Sequence, residues 1–146
     1  MPENETLERA EKDKEEGKAP STQAGEFVRE EIEHIREGKH GARSTKQAIA
    51  IGLSKARRAG VKLPASKRAS KETKEQAARD LRKGRSGGKK KVSAKRSRAA
   101  SRALKREGHR AASKKALSRH ARSAAAKRSA ASRSKSAKKA AATRKK

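Results

Sequence analysis

Residues 21–64, STQAGEFVREEIEHIREGKHGARSTKQAIAIGLSKARRAGVKLP, decide the fold, since they hold nine of the fifteen apolar residues larger than alanine. The apolar residues of the first half recur at steps of three or four, which predicts an amphipathic helix. They are Ala24, Phe27, Val28, Ile32 and Ile35. The acidic residues between them are expected to face away from that stripe. They are Glu30, Glu31, Glu33 and Glu37.

Capping residues mark where this helix and a second one begin and end. Ser21, Thr22 and Gln23 after Pro20 predict the first N-cap, and Gly38 predicts the first C-cap. Ser44 with Gln47 three residues later predicts a capping box for the second helix. Its apolar face is Ala48, Ile49, Gly52, Leu53 and Ala56, and Gly60 and Pro64 end it. A loop of residues 39–43 would make the two helices antiparallel.

The predicted fold class is all-α: a small helical hairpin with a long basic tail. An acidic N-terminal arm spans residues 1–20, and the hairpin spans residues 21–64. Residues 65–84 hold a linker and a candidate third helix, capped by Ser70 and ended by Gly84. Residues 85–146 are a low-complexity tail of Lys, Arg, Ala and Ser. Like-charge repulsion opposes helix formation there, so we expect disorder that converts to helix when a polyanion neutralises the charge.

Composition excludes several classes of protein. Only 14 of the 146 residues are Leu, Ile, Val or Phe, well below the roughly 20% under which a highly charged chain is expected to be largely disordered. A compact enzyme with one large core does not fit this composition. No stretch reaches the about 18 apolar residues that a membrane span needs. No cysteine is present, which excludes disulfide scaffolds and thiolate metal sites. The acidic start lacks a secretory signal, so a cytoplasmic location is expected.

The positive charge is concentrated toward the C-terminus. The formal net charge is +28, but residues 1–37 carry −6, residues 38–63 carry +7 and residues 64–146 carry +27. Residues 84–146 hold 24 basic residues and a single acid, Glu107. Such asymmetry indicates a polyanionic partner such as nucleic acid.

The tail therefore supplies most of the candidate nucleic-acid-binding residues. They are Lys89, Lys90, Lys91, Lys95, Arg96, Arg98, Arg102, Lys105, Arg106, Arg110, Lys114, Lys115, Arg119, Arg122, Lys127, Arg128, Arg133, Lys135, Lys138 and Lys139. The loop around Gly38-Lys39-His40-Gly41 and the second helix add candidate phosphate contacts, with an ordinary solvated turn or helix face as the alternative. These are Lys39, His40, Arg43, Lys46, Lys55, Arg57 and Arg58.

The sequence predicts neither a metal site nor a catalytic site. The four histidines are His34, His40, His109 and His120. No two of them have metal-ligand spacing with a third ligand nearby, and His34 is interpreted as a helix-surface residue. No nucleophile and base can be paired in an apolar pocket, and no cofactor or small-molecule substrate is expected.

Residues 21–64, together with Leu7-Glu8-Arg9-Ala10 and Gly17-Lys18, resemble a family of small basic bacterial proteins of unknown function. This resemblance covers roughly the first 80 residues and brings no established site residues. The tail separately resembles the lysine-rich C-terminal tails of linker histones and of bacterial histone-like proteins, although it lacks their proline-containing motifs. That resemblance implies polyanion binding.

The leading hypothesis is a non-enzymatic, largely sequence-independent DNA-binding protein of the nucleoid that contacts phosphates through its tail. With one aromatic residue, Phe27, the chain cannot stack bases on an aromatic platform. One alternative is an RNA-binding or ribosome-associated protein. Another is a protein-interaction module, or a homo-oligomer, that associates through Phe27, Ile32, Ile35 and Ile51 and is localised by its tail. No membrane partner is expected.

Overall fold

The computed structural model describes residues 1–87 and 91–145 and is all-helical across them. Seven α-helices follow one another, with one turn of 3-10 helix at Arg110–Ala112. They are α1 (Asn4–Glu15), α2 (Pro20–Arg36), α3 (Thr45–Arg58), α4 (Lys71–Arg85), α5 (Ala94–Arg106), α6 (Lys114–Ala126) and α7 (Ala130–Arg144). None of the helices in this part of the chain has the length and apolar character needed to cross a membrane.

The predicted helical pair is present as α2 and α3, which pack antiparallel. Near the loop, Ile35 of α2 shares a core cluster with Ala48 of α3. Farther from the loop, Phe27 shares a second cluster with Ala56. A Cβ atom on Gly52 would lie 2.7 Å from the Cα atom of Val28. The two helix backbones therefore approach more closely there than any side chain allows.

Two of the three predicted N-caps, those at Ser44 and Ser70, are confirmed. The Ser44 side chain accepts a hydrogen bond from the Gln47 backbone N–H at 3.2 Å, and Gln47 Oε1 accepts one from the Arg43 N–H at 2.7 Å. The first prediction is wrong, because α2 begins at Pro20 and its N-cap is Ala19. Proline suits this first helical position, since its φ angle is already helical and its missing N–H would have no helical partner.

Two further helices cover the pair. Helix α1 packs against α2 and buries Thr6, Ala10 and Asp13. Helix α4, which corresponds to the candidate third helix, packs against α3 and buries Ala77 and Asp80. The carboxylate of Asp80 accepts hydrogen bonds from the Ser54 hydroxyl at 2.7 Å and from the Arg58 guanidinium at 2.8 Å. The acidic arm and the linker region therefore belong to the folded unit.

The predicted small hairpin with a disordered tail is wrong, because residues 91–145 form helices α5, α6 and α7. Residues 104–117, the docking segment, pack against the pair of α2 and α3. Ala111 and Ala112 join the core cluster of Ile32 and Ile35, and Leu117 packs against it.

Two backbone–backbone hydrogen bonds and two from side chains to backbone carbonyls hold the docking segment in place. The N–H groups of Gly41 and Ala42 donate to the carbonyls of Leu104 and Gly108, at 2.9 and 3.1 Å. The Thr45 hydroxyl donates to the Ala111 carbonyl at 2.7 Å, and the Arg36 guanidinium donates to the Ala112 carbonyl at 2.9 Å. Hydropathy patterns miss this contact, because apart from Leu117 it consists of alanine methyl groups and carbonyl oxygens.

Candidate functional site

The candidate surface is formed by the basic residues of helices α5, α6 and α7. Every Lys and Arg between residues 91 and 145 is exposed, and none of them forms an ion pair within the described residues. The helices that carry them bury no residues of their own. Their charges are therefore available to an external anion.

Helix α5 gathers its charge on one face. Lys95, Arg98 and Arg102, followed by Lys105 and Arg106, repeat at steps of three or four along the helix. At about 100° per residue these five positions fall within an arc of about 100°, so their side chains project in one direction. Leu104 lies on the opposite side and is half-buried, where its carbonyl accepts the Gly41 N–H. The docking segment thus holds one end of α5 while leaving its charged face in solvent.

The other predicted residues of the tail are distributed over the remaining elements. Helix α5 also holds Arg96, and the 3-10 turn begins with Arg110. Helix α6 holds Lys114, Lys115, Arg119 and Arg122, and helix α7 holds Arg133, Lys135, Lys138 and Lys139. Lys91 precedes α5, and Lys127 and Arg128 lie between α6 and α7, where Arg128 donates to the Ser132 carbonyl at 3.0 Å. Lys89 and Lys90 lie outside the described residues.

Most of the seven candidate phosphate contacts of the hairpin have partners inside the protein. The guanidinium of Arg57 donates to the Leu63 carbonyl at 2.8 Å, and that of Arg58 donates to Asp80 at 2.8 Å. Lys39 Nζ pairs with Glu37 and Glu3 at 3.0 and 3.1 Å. Hydrogen bonds to those two carboxylates raise the pKa of Lys39.

His40 and Lys55, two more of these candidates, are turned toward buried carboxylates. His40 Nε2 lies 2.9 Å from Glu31 Oε1, and Lys55 Nζ lies 2.6 Å from Glu31 Oε2. Arg43 and Lys46 remain exposed at the N-terminal end of α3. The Arg43 guanidinium is 82% exposed and lies 3.7 Å from Glu107 of the docking segment. Of the hairpin candidates, these two remain on an open surface, and Arg43 keeps only its 3.7 Å contact with Glu107.

The residues that sequence reasoning missed are two buried glutamates. Glu30 and Glu31 are 2% and 1% exposed, so the prediction that they face solvent is wrong. Their position explains this, because Glu31 follows Phe27 by four residues and precedes Ile35 by four. It therefore lies within the apolar stripe of α2. A glutamate in an apolar stripe, with His34 one turn later, is the pattern that identifies this site from sequence.

Five more groups complete what we call the Glu–His cluster, defined by Glu3, Glu30, Glu31, His34, Lys39, His40 and Lys55. The backbone N–H of Glu3 donates to Glu30 Oε2 at 3.0 Å, and Glu3 Oε1 lies 2.8 Å from His34 Nε2. Hydrogen bonds from His34 and Lys39 lower the pKa of Glu3. The rings of His34 and His40 meet edge to face, with centroids 6.2 Å apart. The cluster joins the N-terminus, α2, the loop and α3.

Two carboxylate oxygens of the cluster have no hydrogen-bond donor among the described residues. They are Glu30 Oε1 and Glu31 Oε2. Lys55 Nζ lies 3.5 Å from the first and 2.6 Å from the second, but without hydrogen-bond geometry in either case. Burying a charged oxygen without a donor costs free energy, so this part of the cluster is electrostatically incomplete.

The comparisons with known proteins concern the helical core and leave out the basic helices. A family model described as a family of unknown function (DUF6496) matches residues 14–68. This region runs from the end of α1 to the segment before α4 and contains Glu30, Glu31, His34, His40 and Lys55. No curated protein and no solved structure matches the chain.

Proposed function

We propose that this protein is a non-enzymatic binder of duplex DNA that contacts phosphates through the exposed Lys and Arg residues of α5, α6 and α7. The observation that supports this proposal is the charged face of α5. It is exposed on a helix whose Leu104 carbonyl, near the helix end, accepts a hydrogen bond from the Gly41 N–H. A phosphate backbone needs this kind of surface, with several cations at helical spacing and no carboxylate within the helix itself.

Physical dimensions favour a duplex over a small anion. From Lys95 to Lys105 the charged face of α5 extends about 15 Å at 1.5 Å per residue. Duplex DNA carries one charge per about 1.7 Å of its axis, so this length meets several phosphates at once. Arg43 and Lys46 add positive charge at the loop that contacts the docking segment. Since phosphates carry no sequence information, binding is expected to show little sequence preference, in keeping with a role in the nucleoid.

The protein-interaction alternative has less support. Phe27, Ile32 and Ile35 are 1%, 7% and 0% exposed, so the chain uses them in its own core. Ile51 is half-buried. Contact with phosphates therefore makes fuller use of the exposed side chains than an apolar interface does.

The test is the salt dependence of binding to a labelled DNA duplex. We compare the wild-type protein with a variant in which Lys95, Arg98, Arg102 and Lys105 are changed to Gln. A control variant changes Lys62, Lys67, Lys71 and Lys74 to Gln. These are exposed residues before or within α4, so both variants lose the same charge. Fluorescence anisotropy at several salt concentrations gives the slope of log K against log[salt].

The α5 variant should lower the magnitude of this slope by about 3 to 4, at about 0.9 per lost phosphate contact. The control should change it by less than about 1. Equal losses in both variants would show that only net charge matters and would contradict a defined surface. Recovery of RNA in place of DNA after crosslinking in cells would favour the RNA-binding alternative.

A further inference from the structure

We propose that Glu31, His34 and His40 bind one divalent transition-metal ion of the Zn²⁺ class. One oxygen of Glu31 and one ring nitrogen from each histidine lie within 4.8 Å of one another. Zinc binds histidine nitrogen and carboxylate oxygen at about 2.0–2.2 Å, and it accepts two histidines and one glutamate with a fourth position open. The proposal does not depend on nucleic-acid binding.

The backbone positions of the three residues favour a common ligand. Glu31 and His34 are three residues apart on α2 and therefore project from the same side of the helix. His40 comes from the loop that follows, next to Gly41, whose N–H donates to the Leu104 carbonyl at 2.9 Å. Both elements are fixed by packing, so no rearrangement of the chain is needed to bring the ligands together.

The hydrogen bond of His40 orients its second nitrogen toward Glu31. Because the Gly41 carbonyl can only accept, the contact of 3.0 Å makes Nδ1 the protonated nitrogen. In the neutral ring, the Nε2 lone pair then faces Glu31 Oε1 at 2.9 Å. Two lone pairs at this distance repel each other unless a positive charge lies between them. Histidine ligands of metals are oriented in this way, through a hydrogen bond from the other ring nitrogen to a carbonyl.

The charge balance of the buried groups also favours a cation. Glu30 and Glu31 bring two buried negative charges, and within residues 1–87 and 91–145 the only ammonium paired with them is that of Lys55. Glu3 and Lys39 are paired with each other at the edge of the cluster. With both histidines neutral, the buried part therefore keeps one uncompensated negative charge, and Glu31 Oε2 has no hydrogen-bond donor among the described residues. A divalent ion supplies the missing positive charge.

One ligand pair, Glu31 Oε1 and His40 Nε2, requires only a small adjustment. These two atoms are 2.9 Å apart and subtend about 90° at an ion that lies about 2.05 Å from each. Increasing the distance between them by about 0.4 Å gives the tetrahedral angle. The separations to the His34 nitrogen are within 4.8 Å. The side chains of His34 and His40 are 12% and 16% exposed. This leaves a route for an ion to enter from solvent.

The experiment is a calorimetric titration of Zn²⁺ into untagged, full-length protein that has been freed of nucleic acid and treated with a chelator. We expect saturable binding of one ion per chain. His34→Ala and His40→Ala should each weaken binding at least tenfold. His120→Ala, which changes a histidine of α6 outside the cluster, should leave the affinity unchanged. Circular dichroism of each variant checks that the helices are retained.

Two further measurements identify the site without removing a ligand. Co²⁺ should give the visible absorption of a tetrahedral nitrogen and oxygen site, and Zn²⁺ should abolish it. Lys55→Met removes the ammonium that competes for Glu31 and should strengthen Zn²⁺ binding by tenfold or more. Absence of saturable binding in the wild-type protein would overturn the proposal. It would show that a protonated His40 donates a hydrogen bond to Glu31 in place of a metal ion. An equal loss in His120→Ala, or unchanged or weaker binding in Lys55→Met, would also overturn it.

Discussion

Replacing Gly41 by alanine should detach the docking segment from the helical core. A Cβ atom at this position would lie 2.0 Å from the Glu107 carbonyl oxygen, so the backbone there must move by about 1.4 Å to reach an ordinary contact. Such a shift breaks the hydrogen bonds from Gly41 to Leu104 and from Ala42 to Gly108. The perturbation acts on backbone atoms, which cannot turn away as a flexible side chain would.

The magnitude follows from the contacts that hold the segment. Four hydrogen bonds join it to the core, and at about 1 kcal/mol each they contribute about 4 kcal/mol. Burial of the methyl groups of Ala111 and Ala112 adds about 1.6 kcal/mol. Losing two of the four hydrogen bonds therefore costs about 2 kcal/mol, and overpacking adds about 1–3 kcal/mol. Because about 1.4 kcal/mol corresponds to a factor of ten, the docking segment should detach from the core at least 30-fold more often.

Hydrogen exchange followed by mass spectrometry measures this opening directly. Amides in residues 104–117 of Gly41→Ala should exchange at least 30-fold faster, while those of α2 and α3 should keep their protection. The matched control is Gly25→Ala, since a Cβ on Gly25 meets nothing within 4 Å. It should stabilise α2 by up to about 1 kcal/mol and leave residues 104–117 unchanged. Unaltered exchange of the docking segment in Gly41→Ala would refute the reasoning.

Two further predictions concern the core. Burial acts to raise the pKa of Asp80, but hydrogen bonds from Ser54, Arg58 and Gln76 outweigh it and lower that pKa. The charged Asp80 should therefore stabilise the packing of α4 on α3 fully above about pH 3.9, the ordinary pKa of an aspartate. This stabilisation should weaken as the pH falls toward the lowered pKa. Urea unfolding between pH 7 and pH 2.5 measures the effect, and Asp80→Asn should remove this contribution. Phe27 is 1% exposed, so Phe27→Ala should cost about 3–5 kcal/mol in the same assay, and a loss below about 1 kcal/mol would show that the site is loosely packed.

Local residues allowed the central helices to be predicted. Ser44 and Gln47 mark the start of α3 through their own hydrogen bonds. Gly38 and Gly60 follow α2 and α3 with φ angles of 76° and 104°, as C-terminal caps require. These features depend on contacts between residues four or five apart, so they can be predicted from the sequence.

The docking segment could not be predicted, because the same local sequence occurs in two environments. Arg-Ala-Ala-Ser occurs at residues 98–101, where it is an exposed part of α5. It occurs again at residues 110–113, where Ala111 and Ala112 are 7% and 0% exposed. Nothing within the four residues distinguishes the two copies. The second copy is buried because Arg36 and Thr45 donate hydrogen bonds to its carbonyls.

The Glu–His cluster was missed for a related reason. A glutamate is normally expected on the solvent side of a helix, and His40 is separated from Glu31 by the end of α2 and a turn. The close approach of Lys55 from α3 to Glu31 depends on how the two helices pack. Sequence alone shows an acidic residue within the apolar stripe of α2, but it does not show which groups surround it.

The sequence by itself determined the helical class, the start of α3, the ends of α2 and α3 and the concentration of positive charge after residue 84. Helix caps and apolar spacing act over one or two turns, and net charge is a sum over the chain, so none of these needs a tertiary structure. Only the tertiary structure decided that residues 104–117 pack on the core, that Glu30 and Glu31 are buried and that His34 and His40 meet Glu31. Those outcomes depend on contacts between distant segments, where a carbonyl oxygen or an alanine methyl group becomes significant only once its partner is in place.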